Sequence, residues 1–396
     1  MKILAAVLLI SLAYRAQAKN ATLYVLNDAV KTHGAMCLDG SPTGYFLREG
    51  AGDGASKWIL HLEGGGWCND TEQCYERSFK PLGSSKNWPK SAALPGFLSD
   101  NSTVNPGFYN WNIIYVMYCD GASFAGYVDK PDMYNGKALY YRGRANLKAS
   151  LDDLLSKGMD KATDVILTGC SAGGLAVYLH ADAVGRYLPK TIKKYKAFPD
   201  AGYFIDSENI HRIPAFKMGT QNIFKMQNAS AGVNQNCLKA QKPEDMWKCM
   251  FAPYTYSFIK TPLFVLNSMY DTAQINSLFG LPCLPPNCNR TYLEEFYDYG
   301  QRFLDQARPV FESFPLNGYY IDSCQIHCQT LYDGPWSTFT ISNSSMRETF
   351  THWYNDKSGE VDTRRKDCEV PYNCDPSCSA HNVETKGNPL NEQRVF

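Results

Sequence analysis

Residues 165 to 179, VILTGCSAGGLAVYL, constrain the fold more than any other stretch. A β-branched apolar run enters G-C-S-A-G and leaves as an apolar segment with helical spacing, so the chain must pass sharply from strand to helix at Ser171. Only glycines fit on either side of such a turn, and Gly169 and Gly173 fill those places. An elbow of this kind exposes the serine hydroxyl with a helix N-terminus behind it, the geometry of an activated nucleophile. An ordinary tight turn before a helix has the same local spacing, so the rest of the site has to be sought elsewhere in the chain.

Around the elbow, strand-like and helix-like segments alternate. "TDVILTG" reads as a short buried strand, "RANLKASLDDLLSKGM" has helical spacing, and "WNIIYVMYC" and "TPLFVLNSMY" are buried strands. Such alternation argues for an α/β fold with a mostly parallel sheet and helices on both faces. "GYFLREG" and "SKWILHLE" flank "AGDGA" and predict a hairpin. Stretches 207–260 and 283–320 read as irregular, aromatic, cysteine-bearing insertions or a lid. No repeat, low-complexity tract or Pro/Gly/Ser linker divides residues 19–396, which predicts one domain.

Met1 to Ala18 has the order of a secretory signal: Lys2, the run "ILAAVLLISLA", then "AQA" before Lys19. No later run reaches the ~20 apolar residues of a membrane span, and the ending "NPLNEQRVF" is neither an anchor tail nor a retention signal. The 14 cysteines suit an oxidising compartment and predict mostly disulfides, ahead of a zinc reading of "CQIHC" and "CEVPYNCDPSC". Sequons at Asn20, Asn69, Asn101, Asn228, Asn289 and Asn343 agree with export. With 39 basic and 39 acidic residues, the chain has no global field to recruit nucleic acid or an anionic membrane. Its 26 Tyr and 20 Phe read first as core packing and second as sugar-stacking surface.

A serine nucleophile needs a base and an orienting acid, which in this sheet type follow it in the order Ser, Asp, His. Asp271 comes directly after the buried strand "TPLFVLNS" and is the favoured acid; Asp200, in "FPDAGYFID", is its rival. His33, His61 and His180 precede the elbow or lie too close to it, leaving His211, His327, His352 and His381. His327 sits between two cysteines in "IDSCQIHCQT", where disulfides could fix the loop that presents the imidazole, and is the chosen base. "HLEGGGWC" supplies a glycine run after a strand and upstream of the elbow, where Gly64, Gly65 and Gly66 can turn backbone N–H groups toward an oxyanion. Cys68 and Cys74 are close enough to bridge and lock that loop. If Ser171 and His327 meet, their neighbours Cys170 and Cys328 fall within the ~7 Å Cα range of a disulfide.

Taken in order, "CLDGSP", "HLEGGGWCN", "LGSSK", "YNWN", "YCDGASF", "GCSAGGL", "DAGYFID", "TPLFVLNSMYDTAQI" and "DSCQIHCQT" resemble the plant-type pectin acetylesterases. More distantly they resemble the animal Notum carboxylesterases of the same superfamily. The likeness runs from about residue 30 to about residue 378. It implies an α/β-hydrolase-like fold, Ser171, Asp271 and His327 as triad, and an oxyanion hole from the N–H groups of Gly65, Gly66 and Ala172. It also implies the pairings Cys37 with Cys119 and Cys68 with Cys74. Gly66 stands where the Notum branch has a tryptophan, which favours the pectin-type branch. The implied protein is a secreted esterase, extracellular or in the cell wall, that removes acetyl groups from pectin as a monomer, with no metal or organic cofactor, nucleic acid partner or membrane span. The rival readings are a Notum-like deacylase acting on an acylated protein and a hydrolase-fold binding module without turnover.

Overall fold

Strand residues 112–116, Asn-Ile-Ile-Tyr-Val, are buried at every position, so the sheet that contains them has to be covered on both faces. Ten strands form that sheet: β1 (Ala21–Val25), β2 (Gly44–Arg48), β3 (Lys57–Leu62), β4 (Ser91–Ala92), β5 (Asn112–Val116), β8 (Asp164–Cys170), β9 (Lys194–Asp200), β10 (Phe264–Ser268), β11 (Gly318–Asp322) and β14 (Arg364–Lys366). Two separate small hairpins pair β6 (Asp132–Tyr134) with β7 (Lys137–Leu139) and β12 (Thr340–Ile341) with β13 (Ser344–Ser345). The sheet order is β14-β11-β10-β9-β8-β3-β5-β2-β1-β4. The run from β14 to β5 is parallel throughout, and β2, β1 and β4 extend it antiparallel. This is the α/β-hydrolase-like, mostly parallel sheet expected from the sequence. The computed structural model describes residues 19–313, 315–368 and 376–381, with side chains up to Cys378. The expected leader Met1–Ala18, part of the cysteine-rich tail and the polar ending lie outside the described residues.

Alternating strand residues sort onto two cores. Trp58, Leu60, Leu62, Ile114, Val165 and Leu167 meet Leu147, Leu151 and Leu154 of the helix Gly143–Ser156 and Ala176, Val177 and Val184 of the helix Ala172–Tyr187. Ile59, Ile113, Ile166, Phe198, Phe264 and Tyr320 face a second core of aromatic residues drawn from residues 88–111 and from the C-terminal third. Phe350, on the helix Met346–Tyr354, lies at its centre: it stacks on Phe198 at 4.1 Å between ring centroids and contacts Phe97, Phe264, Trp336 and Trp353. The aromatic content is therefore largely core.

Two expectations need correction. β2 and β3 do not form a hairpin, because β5 lies between them, antiparallel to β2 and parallel to β3. The "AGDGA" segment crosses the start of β5 instead of closing a two-strand turn. Cβ atoms at Gly50 and Gly54 would lie 2.7 Å from Asn112 N and 2.1 Å from Asn110 O, which is why glycine stands there. Segment 283–320 is also more regular than expected. It holds the helix Arg290–Gln306, capped by the Asn289 side chain and burying Phe296, Tyr299 and Phe303, and it runs into β11. Segment 207–260, by contrast, is a chain of short helices and 3₁₀ turns closed by Cys237–Cys249.

Six disulfides join described residues, Cys37–Cys119 and Cys68–Cys74 among them. Five of the sequon asparagines are exposed and Asn69 is half-buried. No helix among the described residues is long and apolar enough to cross a membrane. Phe350→Ala is expected to lower unfolding stability by about 3–5 kcal/mol, because it empties a ring-sized volume that its neighbours cannot refill. The check is a lower denaturant midpoint with the slope of the transition unchanged.

Candidate active site

Five neighbouring parallel strands, β11, β10, β9, β8 and β3, deliver the candidate residues at their C-terminal ends, where open α/β sheets form ligand crevices. Ser171 follows β8 directly, with φ 60° and ψ −126°, and is the N-cap of the helix Ala172–Tyr187. The elbow glycines are sterically required. A Cβ at Gly169 would lie 2.4 Å from Gly173 O, and one at Gly173 would lie 2.0 Å from Leu62 O. Ser171 is 3 % exposed, and its Oγ has no hydrogen-bond partner among the described residues. Its N–H donates to the Asp200 carbonyl at 3.1 Å.

Asp271 lies in the turn after β10 and His327 in the loop after β11, and the structure brings them together: His327 Nδ1 is 2.7 Å from Asp271 Oδ2. Asp271 is fully buried, and its Oδ1 accepts the Gln274 N–H at 2.9 Å, which orients the carboxylate. Burial of the His327 ring lowers its pKa, but the charge and hydrogen bond of Asp271, with a contribution from Asp200, outweigh this and hold it above the ordinary imidazole value. Asp271 thus engages Nδ1 and fixes the orientation of the ring. Of the other histidines weighed, His211 is exposed in a turn and His352 is on the helix Met346–Tyr354, away from this edge. The His381 side chain lies outside the described residues.

Asp200, the rival acid, ends β9 and faces elsewhere. Its Oδ2 accepts from Thr330 N at 2.9 Å and Thr330 Oγ1 at 2.6 Å. Cys170 and Cys328 do bridge, with Cα atoms 5.5 Å apart, so a covalent link joins the residues next to Ser171 and His327. Cys324 pairs with Cys378. The sulfurs beside the His327 ring are thus in disulfides and are not thiolate ligands for zinc.

The glycine run lies against the elbow. A Cβ at Gly64 would be 2.4 Å from Cys170 O and 2.8 Å from Ser171 Cβ. Gly65 (φ 124°) and Gly66 (φ 64°) are both in the left-handed region, and Leu82 packs where a Gly65 side chain would go. The Gly65 and Gly66 N–H groups donate to no backbone carbonyl among the described residues. Ala172 N–H opens the helix, where the first amides have no intrahelical acceptor and the dipole favours negative charge.

Residues that sequence reasoning assigned no role hold this loop. Tyr118 OH donates to Gly66 O at 2.8 Å and accepts from Ser123 N at 3.0 Å. Ser123 Oγ donates to Ala172 O and accepts from Trp67 Nε1, each at 2.8 Å. Glu63 receives the Tyr118 N–H at 2.7 Å, and Asp120 receives those of Ala122 and Phe124. All but Glu63 and Trp67 lie in or beside the motif "YCDGASF", whose polar residues in an apolar setting were the available signal.

Comparison with known proteins bears on what this arrangement does. Residues 14–379 match the profile of the pectinacetylesterase family. The chain is 35 % identical over 368 residues to pectin acetylesterase 5 of Arabidopsis thaliana, covering 89 % of this chain and 84 % of that one. The chain belongs to the pectinacetylesterase family. A planarian relative from Schmidtea mediterranea, named as the palmitoleoyl-protein carboxylesterase Notum, is 30 % identical, with 82 % of this chain and 61 % of its own length covered. The solved structure of the Wnt deacylase Notum from Drosophila shares the fold, with a TM-score of 0.78 at 22 % identity over 91 % of this chain and all of that one. This pectinacetylesterase-family chain is a carboxylic ester hydrolase.

Ser171→Ala is expected to lower kcat by a factor on the order of 10⁶ and Asp271→Ala by about 10⁴, as in other serine-hydrolase triads, with the thermal transition unchanged. Because His327 must be neutral to accept a proton and is held above the ordinary value, kcat/KM should fall on acidification with a midpoint above about 6.5. A steady-state pH profile on a small ester reads this; a midpoint well below that value would contradict the assigned base.

Proposed function

We propose that this chain is a secreted serine carboxylesterase that removes acetyl esters from cell-wall pectin. His327 Nε2 takes the Ser171 Oγ proton as the oxygen attacks the acetyl carbonyl, and the N–H groups of Gly65, Gly66 and Ala172 receive the negative charge that develops on the carbonyl oxygen. The imidazolium, steadied by Asp271, returns the proton to the leaving sugar hydroxyl. Water activated by the same imidazole then releases acetate and restores Ser171. The observation that carries this reading is the shared sheet edge: a strained serine, a glycine run lying against it, and an Asp271–His327 pair stapled to it through Cys170–Cys328. We further infer that residues 19–396 act as one monomeric esterase domain, since one sheet supplies every group named.

The acetyl group, as against a long acyl chain, is supported by what fills the space beside the oxyanion loop. Trp67 packs against Phe204 at 4.9 Å and Phe216 at 5.4 Å, and Phe216 packs in turn on Phe251 at 5.1 Å. A sixteen-carbon chain needs room for many methylenes, each contributing roughly 0.8 kcal/mol when buried.

The test compares p-nitrophenyl acetate, butyrate and octanoate on purified protein, then acetate release from acetylated pectin. The expected result is kcat/KM falling with chain length, with acetate released. A maximum at octanoate with no acetate released would move the chain to the lipid-deacylase reading, and failure of a serine-directed phosphonate to label Ser171 would favour the binding module.

A further inference from the structure

Asp200 is a wholly buried carboxylate that the mechanism above does not use. Burial pushes it up to about 7, against the lowering pull of its Thr330 hydrogen bonds and of His327, with Asp271 adding to the rise. Its Oδ1 has no partner among the described residues. An apolar residue would be easier to bury at such a site, so the acid calls for an explanation.

Its contacts supply one. The Asp200 main-chain carbonyl accepts the Ser171 N–H, and its side chain accepts both the N–H and the hydroxyl of Thr330, three residues past His327. Asp200 therefore touches the nucleophile's turn with its backbone and the imidazole loop with its side chain. Its register partner in β8 is Cys170, which carries the disulfide to Cys328. The start of the same loop is held by Asp322, whose carboxylate accepts from Cys324 N at 2.9 Å and Gln329 Nε2 at 2.6 Å. Without Asp200, the loop's far end would retain the disulfide, which allows rotation about its bonds, but the Thr330 N–H and hydroxyl would lose the acceptor that sets the loop's height above the sheet.

We propose that Asp200 is a positioning residue: by gripping Thr330 it fixes the loop that presents His327 to Ser171. It does not touch the reacting atoms. The inference rests on the proposed serine-esterase reading.

The experiment measures kcat and KM on p-nitrophenyl acetate, and the second-order rate of Ser171 labelling by a fluorophosphonate, for Asp200→Ala, Asp200→Asn, Thr330→Val and the Asp200→Ala/Thr330→Val double variant. Each is checked for an intact Cys170–Cys328 bridge and a cooperative melt. Because a misplacement of about 1 Å can cost on the order of 100-fold, Asp200→Ala should lower kcat and labelling by about that factor with KM changed less than about twofold. Thr330→Val, which keeps the N–H donor, should lose roughly tenfold, and the double variant should be no slower than Asp200→Ala, as coupled partners require. Asp200→Asn keeps an acceptor oxygen and should recover most of the loss. Thr330→Val at wild-type kcat, losses that multiply in the double variant, or an asparagine variant no better than alanine would each overturn the proposal. If Asp200→Ala does not fold, Thr330→Val decides alone. A wild-type protein that labels at Ser171 yet hydrolyses no acetate ester would overturn the esterase reading only, and the labelling rates would still report on the loop.

Discussion

Ser171 occupies a backbone conformation, φ 60° and ψ −126°, that a residue with a side chain adopts only when its surroundings leave no alternative. The strain is of order 1–3 kcal/mol, and much of the local sequence can be read as what enforces it. Ahead of the serine, β8 is clamped between β3 and β9 along its whole length. Behind it, the helix begins at once, with Leu175 N–H donating to Ser171 O at 2.8 Å. Around it, glycines permit backbone to touch backbone: a Cβ at Gly174 would be 2.3 Å from Asp200 O, and one at Gly202 would be 2.2 Å from Gly174 C. The glycines of "GCSAGG", "EGGG" and "DAG" thus serve one crowded junction where β3, β8, β9 and the helix Ala172–Tyr187 meet.

The groups that surround this junction differ in how they are held. The glycine run is held by hydrogen bonds from a neighbouring loop, through Tyr118 and Ser123. The imidazole loop is held by a disulfide, by two buried carboxylates and by the Asp271 contact. The difference follows from chain length. Gly64 to Gly66 sit directly after β3, so the sheet already positions their backbone, whereas His327 lies five residues beyond the end of β11 and has more freedom to remove. A short bridge, Cys68–Cys74, suffices beside the glycine run, whereas the imidazole loop is tied by Cys170–Cys328 to a strand 158 residues away in sequence.

Much of this arrangement was legible in the sequence, and the misses have a common cause. The elbow, the apolar strands and the helix of "RANLKASLDDLLSKGM" are local patterns, and each is found where its pattern stands. Pairing is not local. "GYFLREG" and "SKWILHLE" look like a hairpin because they are near in sequence, yet β5, some fifty residues on, inserts between them, its uniformly apolar residues needing neighbours on both edges. The helix Arg290–Gln306 was missed for a different reason: its buried face of Phe296, Tyr299, Gly300, Phe303 and Leu304 is plainly periodic, but the run is polar on average and follows the proline- and cysteine-rich stretch 282–288, which draws the eye to irregular structure. The braces Tyr118 and Ser123 had a motif but no visible purpose until Gly66 and Ala172 were placed beside them.

The competition between Asp200 and Asp271 shows where spacing along the chain stops being informative. Both follow apolar strands, both are buried, and both lie near His327. They differ in how far each stands past the last paired residue of its strand. Asp200 is itself the last residue of β9, paired in register with Cys170 and Leu266, so its side chain must follow the pleat onto one face of the sheet, beneath the loop. Asp271 stands three residues beyond Ser268, free of the pleat, in a turn whose backbone is fixed by Met269 N–H to Asp322 O and Tyr270 N–H to Ser268 Oγ. A residue in that turn can rise to the rim and meet an imidazole edge-on; one at the strand's end can only support the loop from below. Two acids with the same local sequence character therefore divide the work, one orienting the ring and the other carrying the segment on which the ring stands.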